Sequence, residues 1–234
     1  MIALAPAPLG HEALDDPRCP THLARATLAD IARVNRLFGG IAAARYGLDL
    51  LLAAGATAST LTLLDVGAGG GDVASALAVR AAARGVRLTP IAVDSHRAAA
   101  ALCRTAGLRS VLASAAALPF RDRTVDIVLA SQFLHHFRRE TAMALLRAFS
   151  ATARIGVVVA EPRRSLGAAA GIWAASFALG LNPVTRRDGV LSVRRSFTGA
   201  DLRDTLAGAG VRATVHRRPG FRLVAAWRTD HAHG

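Results

Sequence analysis

The sequence predicts an α/β fold, a mostly parallel seven-stranded sheet with helices on both faces. Three observations point there. Short apolar runs alternate with helical patterns from residue 61 to residue 160, as in parallel sheets covered on both sides. A glycine-rich turn follows the first run directly, and the last two runs are joined only by Arg217-Arg218-Pro219-Gly220.

In chain order, the first twenty residues carry four prolines and read as an irregular lead. Leu23, Ala26, Leu28, Ile31, Val34 and Leu37 follow helical spacing; Thr21 is placed to cap that helix and Gly39-Gly40 to stop it. A second helix is expected over 42–54, so residues 1–56 form an N-terminal helical cap ahead of a main domain at 57–234. Strands are expected at 61–66, 88–93, 110–113, 125–130 and 155–160, with helices at 72–84, 95–106 and 138–152. The segment 166–181 is apolar, nearly uncharged and bracketed by arginine pairs, within a lid-like insertion near 163–197. A helix over 198–209 follows, then strands at 211–216 and 221–227 whose short joint makes them an antiparallel edge hairpin.

Composition narrows the function classes. Hydrophobic residues make up 52% of the chain, which fits a packed core. No run reaches the roughly 18 to 20 apolar residues of a spanning helix. The first residues lack a basic region and a long apolar run, so a cytoplasmic protein without a signal peptide is expected. The net charge of +13 resembles a nucleic-acid signal, but all 29 basic residues are arginine and they are scattered, as a coding bias produces. Nucleic acid is therefore not the expected partner. Cys19 and Cys103 form no CxxC, and Cys19 with His22 has no second ligand pair, so no metal site is expected.

The chemistry starts at Asp65-Val66-Gly67-Ala68-Gly69-Gly70-Gly71-Asp72, between a strand and a helix. Glycine lets a ligand approach the backbone and permits the dihedrals such a turn requires. A dinucleotide site places its third glycine where Asp72 stands, and an aspartate at a helix N-terminus repels pyrophosphate. The turn therefore suits a cationic or zwitterionic ligand and opposes a nicotinamide oxidoreductase. Asp94 ends the second strand, where a carboxylate accepts hydrogen bonds from ribose hydroxyls; its alternative role is as an N-cap.

Leu118-Pro119-Phe120 and the stretch Ser131-Gln132-Phe133-Leu134-His135-His136-Phe137 complete the pattern. Taken together with the glycine turn and Asp94, these segments resemble the class I S-adenosylmethionine-dependent methyltransferases over about residues 60–160. The similarity is to small-molecule enzymes of the quinone-biosynthesis type. Residues 182–197 resemble methyltransferases associated with type III polyketide (phenolic lipid) pathways. The resemblance implies a Rossmann-like fold and S-adenosyl-L-methionine as cofactor. It implies that Gly67, Ala68, Gly69 and Gly71 line the cofactor, with Asp65 behind its amino group and Asp94, followed by Ser95, at the ribose. An aspartate common in the family at the adenine is replaced here by Ser114, leaving Ser114 or the Ala115 backbone to hold that ring. Ser131 and Gln132 would face the sulfonium.

Methyl transfer is then an in-line displacement whose barrier falls through alignment, worth roughly 7 to 11 kcal/mol. A phenolic acceptor gains from a general base. His135 or His136 is expected in that role, with Asp188, His22 and Glu161 as alternatives and a structural role for either histidine also open. The apolar insertion, with Trp173 and Phe177, suggests an aromatic or lipid-tailed substrate; a buried helix or homodimer contact would have the same composition. Its arginine flanks also suit a peripheral membrane contact. The rival readings are a nucleic-acid methyltransferase, carbon rather than oxygen methylation of a quinone precursor, and a non-enzymatic cofactor-binding protein.

Overall fold

The computed structural model describes residues 4–7, 11–16, 18–53 and 59–229. The join expected at 56–57 lies outside them. Helices α1 (Thr21–Leu37) and α2 (Gly40–Ala53) come first, followed by β1 (Thr60–Val66), α3 (Asp72–Ala82), β2 (Arg87–Asp94), α4 (Arg97–Thr105) and β3 (Arg109–Leu112). The chain continues through β4 (Val125–Ser131), α5 (Arg139–Thr152) and β5 (Ala153–Pro162) to a helical hairpin, α6 (Leu166–Ala178) and α7 (Pro183–Arg195). It ends in α8 (Gly199–Gly208), β6 (Val215–Arg218) and β7 (Arg222–Arg228).

The sheet order is β3-β2-β1-β4-β5-β7-β6. Strands β1 to β5 pair in parallel, and β7 runs antiparallel to both β5 and β6. Successive residues of β1 split between the two faces. Leu61 and Leu63 pack with Leu48, Leu51 and Leu77 under α2 and α3. Leu64 and Val66 pack with Leu145, Phe149, Leu202 and Leu206 under α5 and α8. Two buried faces explain why β4 reads as an unbroken apolar run apart from Asp126, whose carboxylate accepts from Thr62 N at 2.8 Å and from Arg154 Nε at 3.0 Å.

Several details differ from the sequence expectation; at α1 the N-cap position is Pro20, not Thr21, and no side chain caps it. Residues 211–214 make no ladder, so β6 begins at Val215. Phe221 is not in the strand: its φ is +55° beside Gly220 at +74°, and together they turn the hairpin. Helix α4 starts at Arg97, later than Ser95, because His96 Nδ1 accepts from Ala98 N at 3.1 Å and caps it.

Helix α2 packs very closely on the sheet. A Cβ at Gly47 would lie 2.4 Å from Val158 Cγ1 and 3.1 Å from Val224 Cγ1. In a free helix Gly→Ala gains about 1 kcal/mol. Here Gly47→Ala is expected to reverse that sign and cost about 1–3 kcal/mol through overpacking. Urea unfolding should show the midpoint falling while the slope is unchanged.

Candidate active site

The C-terminal ends of the parallel strands open into a cavity of about 480 Å³. Ligands gather at this edge in open α/β sheets because the strand order reverses there and the loops diverge. Here that divergence falls between β1 and β4. Gly67, Gly69 and Gly71 have φ of +72°, +54° and +77°, the left-handed region that disfavours side chains. At Gly67 a Cβ would also meet the Phe133 ring at 2.2 Å.

Of the residues expected at the cofactor, Asp65, Gly67, Ala68, Gly69, Asp94, Ser95, Ser114, Ala115, Ser131 and Gln132 all line this cavity. Gly71 does not. It stands at the N-cap of α3, where a Cβ would meet Leu108 at 2.4 Å, so its contribution is to the shape of the turn. Asp94 accepts from Gly69 N at 2.9 Å and from His96 N at 2.8 Å, tying the glycine turn to the end of β2. Helix α4 is capped by His96 and not by Asp94, which leaves Asp94's remaining lone pairs for a ligand. Ser114 Oγ accepts from Ala116 N at 3.2 Å, and its hydroxyl hydrogen remains available to donate.

Asp65 is buried, and its Oδ2 has no hydrogen-bond partner. Burial, with Asp72 and Asp94 nearby, pushes its carboxyl up to about 8. Burial raises Asp72 and Asp94 as well. Gln132, with φ +54°, lines the first cavity with its side-chain amide engaged at both ends. Its Nε2 donates to Asn35 Oδ1, and its Oε1 accepts from Arg222 Nη1 at 2.8 Å. Asn35 in turn donates to Asp72 Oδ2 at 3.1 Å.

A second cavity, of about 320 Å³, adjoins the first. The two share Glu12, Leu14, Ile31, Gln132 and His136 as walls. Helix α1 roofs both, with Leu28 and Asn35 over the first and Thr27 and Val34, followed by the C-cap residue Phe38, over the second. The α6–α7 hairpin closes the far side through Ala168, Ile172, Gly189 and Val193. On its outer face, Trp173 and Phe177 are exposed, and Arg186 stacks 3.7 Å from the Phe177 ring centroid.

His135 lines only the second cavity; His136 lines both. His135 is 3% exposed, with Nδ1 2.7 Å from Glu161 Oε2 and no partner for Nε2. Glu161, fully buried, also accepts from Phe133 N at 2.9 Å and Leu134 N at 2.8 Å. His136 Nδ1 lies 2.8 Å from Asp15 Oδ1. Asp188 lines the second cavity and accepts from Ala13 N at 2.8 Å, whereas His22 is exposed and reaches neither.

The comparisons with known proteins agree with this architecture. Residues 64–159 match the family described as a methyltransferase domain. An S-adenosylmethionine-dependent methyltransferase from Aquifex aeolicus superposes with a TM-score of 0.59 at 15% identity, covering 92% of this chain and 98% of that one. The fold is that of a class I methyltransferase. TnmH gives a TM-score of 0.60 at 23% identity over 92% of this chain and 60% of its own. The plantazolicin methyltransferase BpumL, solved with S-adenosylhomocysteine, gives 0.58 at 12%, covering 85% of this chain and 72% of that one. No curated protein sequence matches the chain.

The residues of this methyltransferase fold suit S-adenosylmethionine on their own chemistry. The Asp65 carboxyl holds its proton up to about 8 in the ligand-free chain; an ammonium beside its unpartnered Oδ2 would displace that proton, and Asp72 and Asp94 add negative charge toward a cationic ligand. Asn35, Arg195 and Arg222 escaped the sequence reading because isolated polar residues in helix and strand patterns carry no motif. The hairpin's second helix escaped it too, although Asn182 accepts from Thr185 N at 2.8 Å with Pro183 in the first turn, a start signal legible in the sequence.

A free aspartate loses its proton near about 4, and Asp65 in the folded chain near about 8. Between these values the folded chain holds the extra proton, so stability falls as pH rises through that window. Asp65→Asn should flatten the fall in Tm of ligand-free protein between pH 5 and pH 8. The same variant should bind S-adenosylmethionine about tenfold or more weakly by calorimetry, having lost a charge-assisted hydrogen bond.

Proposed function

We propose that this chain transfers the methyl group of S-adenosylmethionine to a hydroxyl oxygen of a small, apolar aromatic acceptor, such as a polyketide phenol or hydroxyquinone. The observation that carries the reading is the second cavity. It opens onto the cofactor-side cavity, and Ile31, Val34, Phe38, Ile172 and Phe221 give it an apolar lining. Its size fits a ring with a short chain, within the usual range of small-molecule sites.

The cofactor supplies an activated methyl carbon bound to a positive sulfur. This chain aligns the acceptor oxygen with that carbon and excludes water, which is where most of the gain lies. With the cofactor bound, the acceptor oxygen's lone pair would take the methyl carbon while the C–S pair would stay with sulfur. The hydroxyl proton leaves on the side of His135 and His136, the imidazoles that face the acceptor cavity. Exposed Leu166, Trp173 and Phe177, with Arg186 beside them, fit delivery of a lipid-tailed acceptor from a membrane surface. No helix among the described residues is long and apolar enough to cross a membrane.

The test is methyl transfer from labelled S-adenosylmethionine to alkylresorcinols and hydroxyquinones, with tRNA in parallel. Labelled phenol ether supports the reading; label in RNA alone, or on ring carbon alone, overturns it. His135→Ala should lower kcat by about 10²-fold or more, the usual scale for losing a group that manages a proton. Its affinity for S-adenosylmethionine should stay unchanged, because His135 does not line the cofactor-side cavity.

A further inference from the structure

The wall between the two cavities holds more ligating groups than proton removal requires. One nitrogen of each imidazole, His135 and His136, and one carboxylate oxygen of Glu12 lie within 4.8 Å of one another. The ring centroids of the histidines are 4.4 Å apart. Each ring has its Nδ1 against a carboxylate, Glu161 at 2.7 Å and Asp15 at 2.8 Å. A neutral ring that donates its Nδ1 proton to that carboxylate has Nε2 as a lone-pair donor. For His135 that nitrogen is buried and has no partner.

We propose that Glu12, His135 and His136 bind a divalent first-row transition-metal ion at the junction of the two cavities. Two imidazoles and one carboxylate suit zinc, iron or cobalt; magnesium and calcium prefer all-oxygen sites. Carboxylates behind the histidines are the usual outer support of such ligands, fixing the tautomer and the ring. Arg195 holds the acidic groups in place, with Nη1 3.1 Å from Glu12 and 3.2 Å from Asp15, and Nη2 donating to the His136 carbonyl at 3.2 Å. The carboxylates of Glu12, Asp15 and Glu161 outnumber the guanidinium groups of Arg195 and Arg222 that act on them, so excess negative charge faces the imidazoles.

The role of the ion rests on the methyl-transfer reading. Glu12 and His136 line both cavities, which puts the ion beside the reacting oxygen. Three protein ligands leave coordination positions open. An acceptor hydroxyl bound there loses its proton to water at a lower pH, as metal-bound water does. Its oxygen then takes the methyl carbon while the C–S pair stays on sulfur.

The experiment is a cobalt titration of the chelator-treated full chain. One Co²⁺ per chain should give a visible d–d absorption band, abolished by Zn²⁺ and unaffected by millimolar Mg²⁺. Glu12→Gln and His136→Ala should each weaken Co²⁺ binding at least tenfold, and Asp15→Asn by about 10–100-fold. Zinc should raise the Tm of the wild type and not that of Glu12→Gln, which guards against a variant that merely fails to fold. Cys19→Ser with His22→Ala should leave the band intact. No band at saturating Co²⁺, or a band that survives Glu12→Gln, overturns the proposal. Calorimetry with S-adenosylmethionine on the same sample separates the two readings. Cofactor binding without a cobalt band removes only the metal, whereas a cobalt band without methylation of any acceptor removes only the function.

Discussion

A carboxylate with no exposed surface, Glu161 at the end of β5, organises the site. Burying such a charge costs several kcal/mol unless donors surround it. Two backbone N–H groups and the His135 ring supply them, all from the segment that follows β4. The carboxylate thereby fixes the short 3-10 turn Leu134–His136 on the neighbouring strand. Phe133 is set against Gly67 by the same turn, and the histidines are set on the wall between the cavities. Without the acid, the buried Leu134 N–H would lose its partner at about 1–3 kcal/mol, and the part-buried Phe133 N–H would lose its partner as well.

The roof depends on a second polar chain. Asn35 on α1 reaches Asp72 on one side and Gln132 on the other, and Gln132 passes the connection to Arg222 at the start of β7. Arg222 is itself buried, which lowers its guanidinium to about 10, and its Nε donates to the Phe38 carbonyl at 3.1 Å. Roof, glycine turn and final hairpin are thus joined by side chains that are each engaged at both ends. Such a chain is rigid because every member has a defined partner.

The parallel sheet was legible because burial on both faces leaves continuous apolar runs such as Val125–Ala130. The glycine turn and Asp94 were legible because each depends on a residue type that few others replace. What joins them was not. The bond from Asp94 to Gly69 spans 25 residues and the chain from Asn35 to Gln132 spans 97, separations at which periodicity carries no information. Glu12 is the extreme case. It sits in a proline-rich lead that reads as irregular, yet it faces residues more than a hundred positions away. The start of β6 was misplaced for a related reason: Val211 and Ala213 pack against the core without a strand partner, so their apolar pattern imitates a ladder.

The reversed direction of β7 has a consequence for how such a chain can diversify. Running antiparallel to β5, it brings its first residue Arg222, with Phe221 of the preceding turn, to the edge where the parallel strands end. The second cavity is therefore walled largely by the α6–α7 hairpin and this late turn, and the first largely by residues 65–137. Insertions or exchanges in the last third of the chain can reshape the second cavity while most walls of the first stay intact. The two cavities thus draw most of their walls from different stretches of the chain and meet at Glu12, Leu14, Ile31, Gln132 and His136.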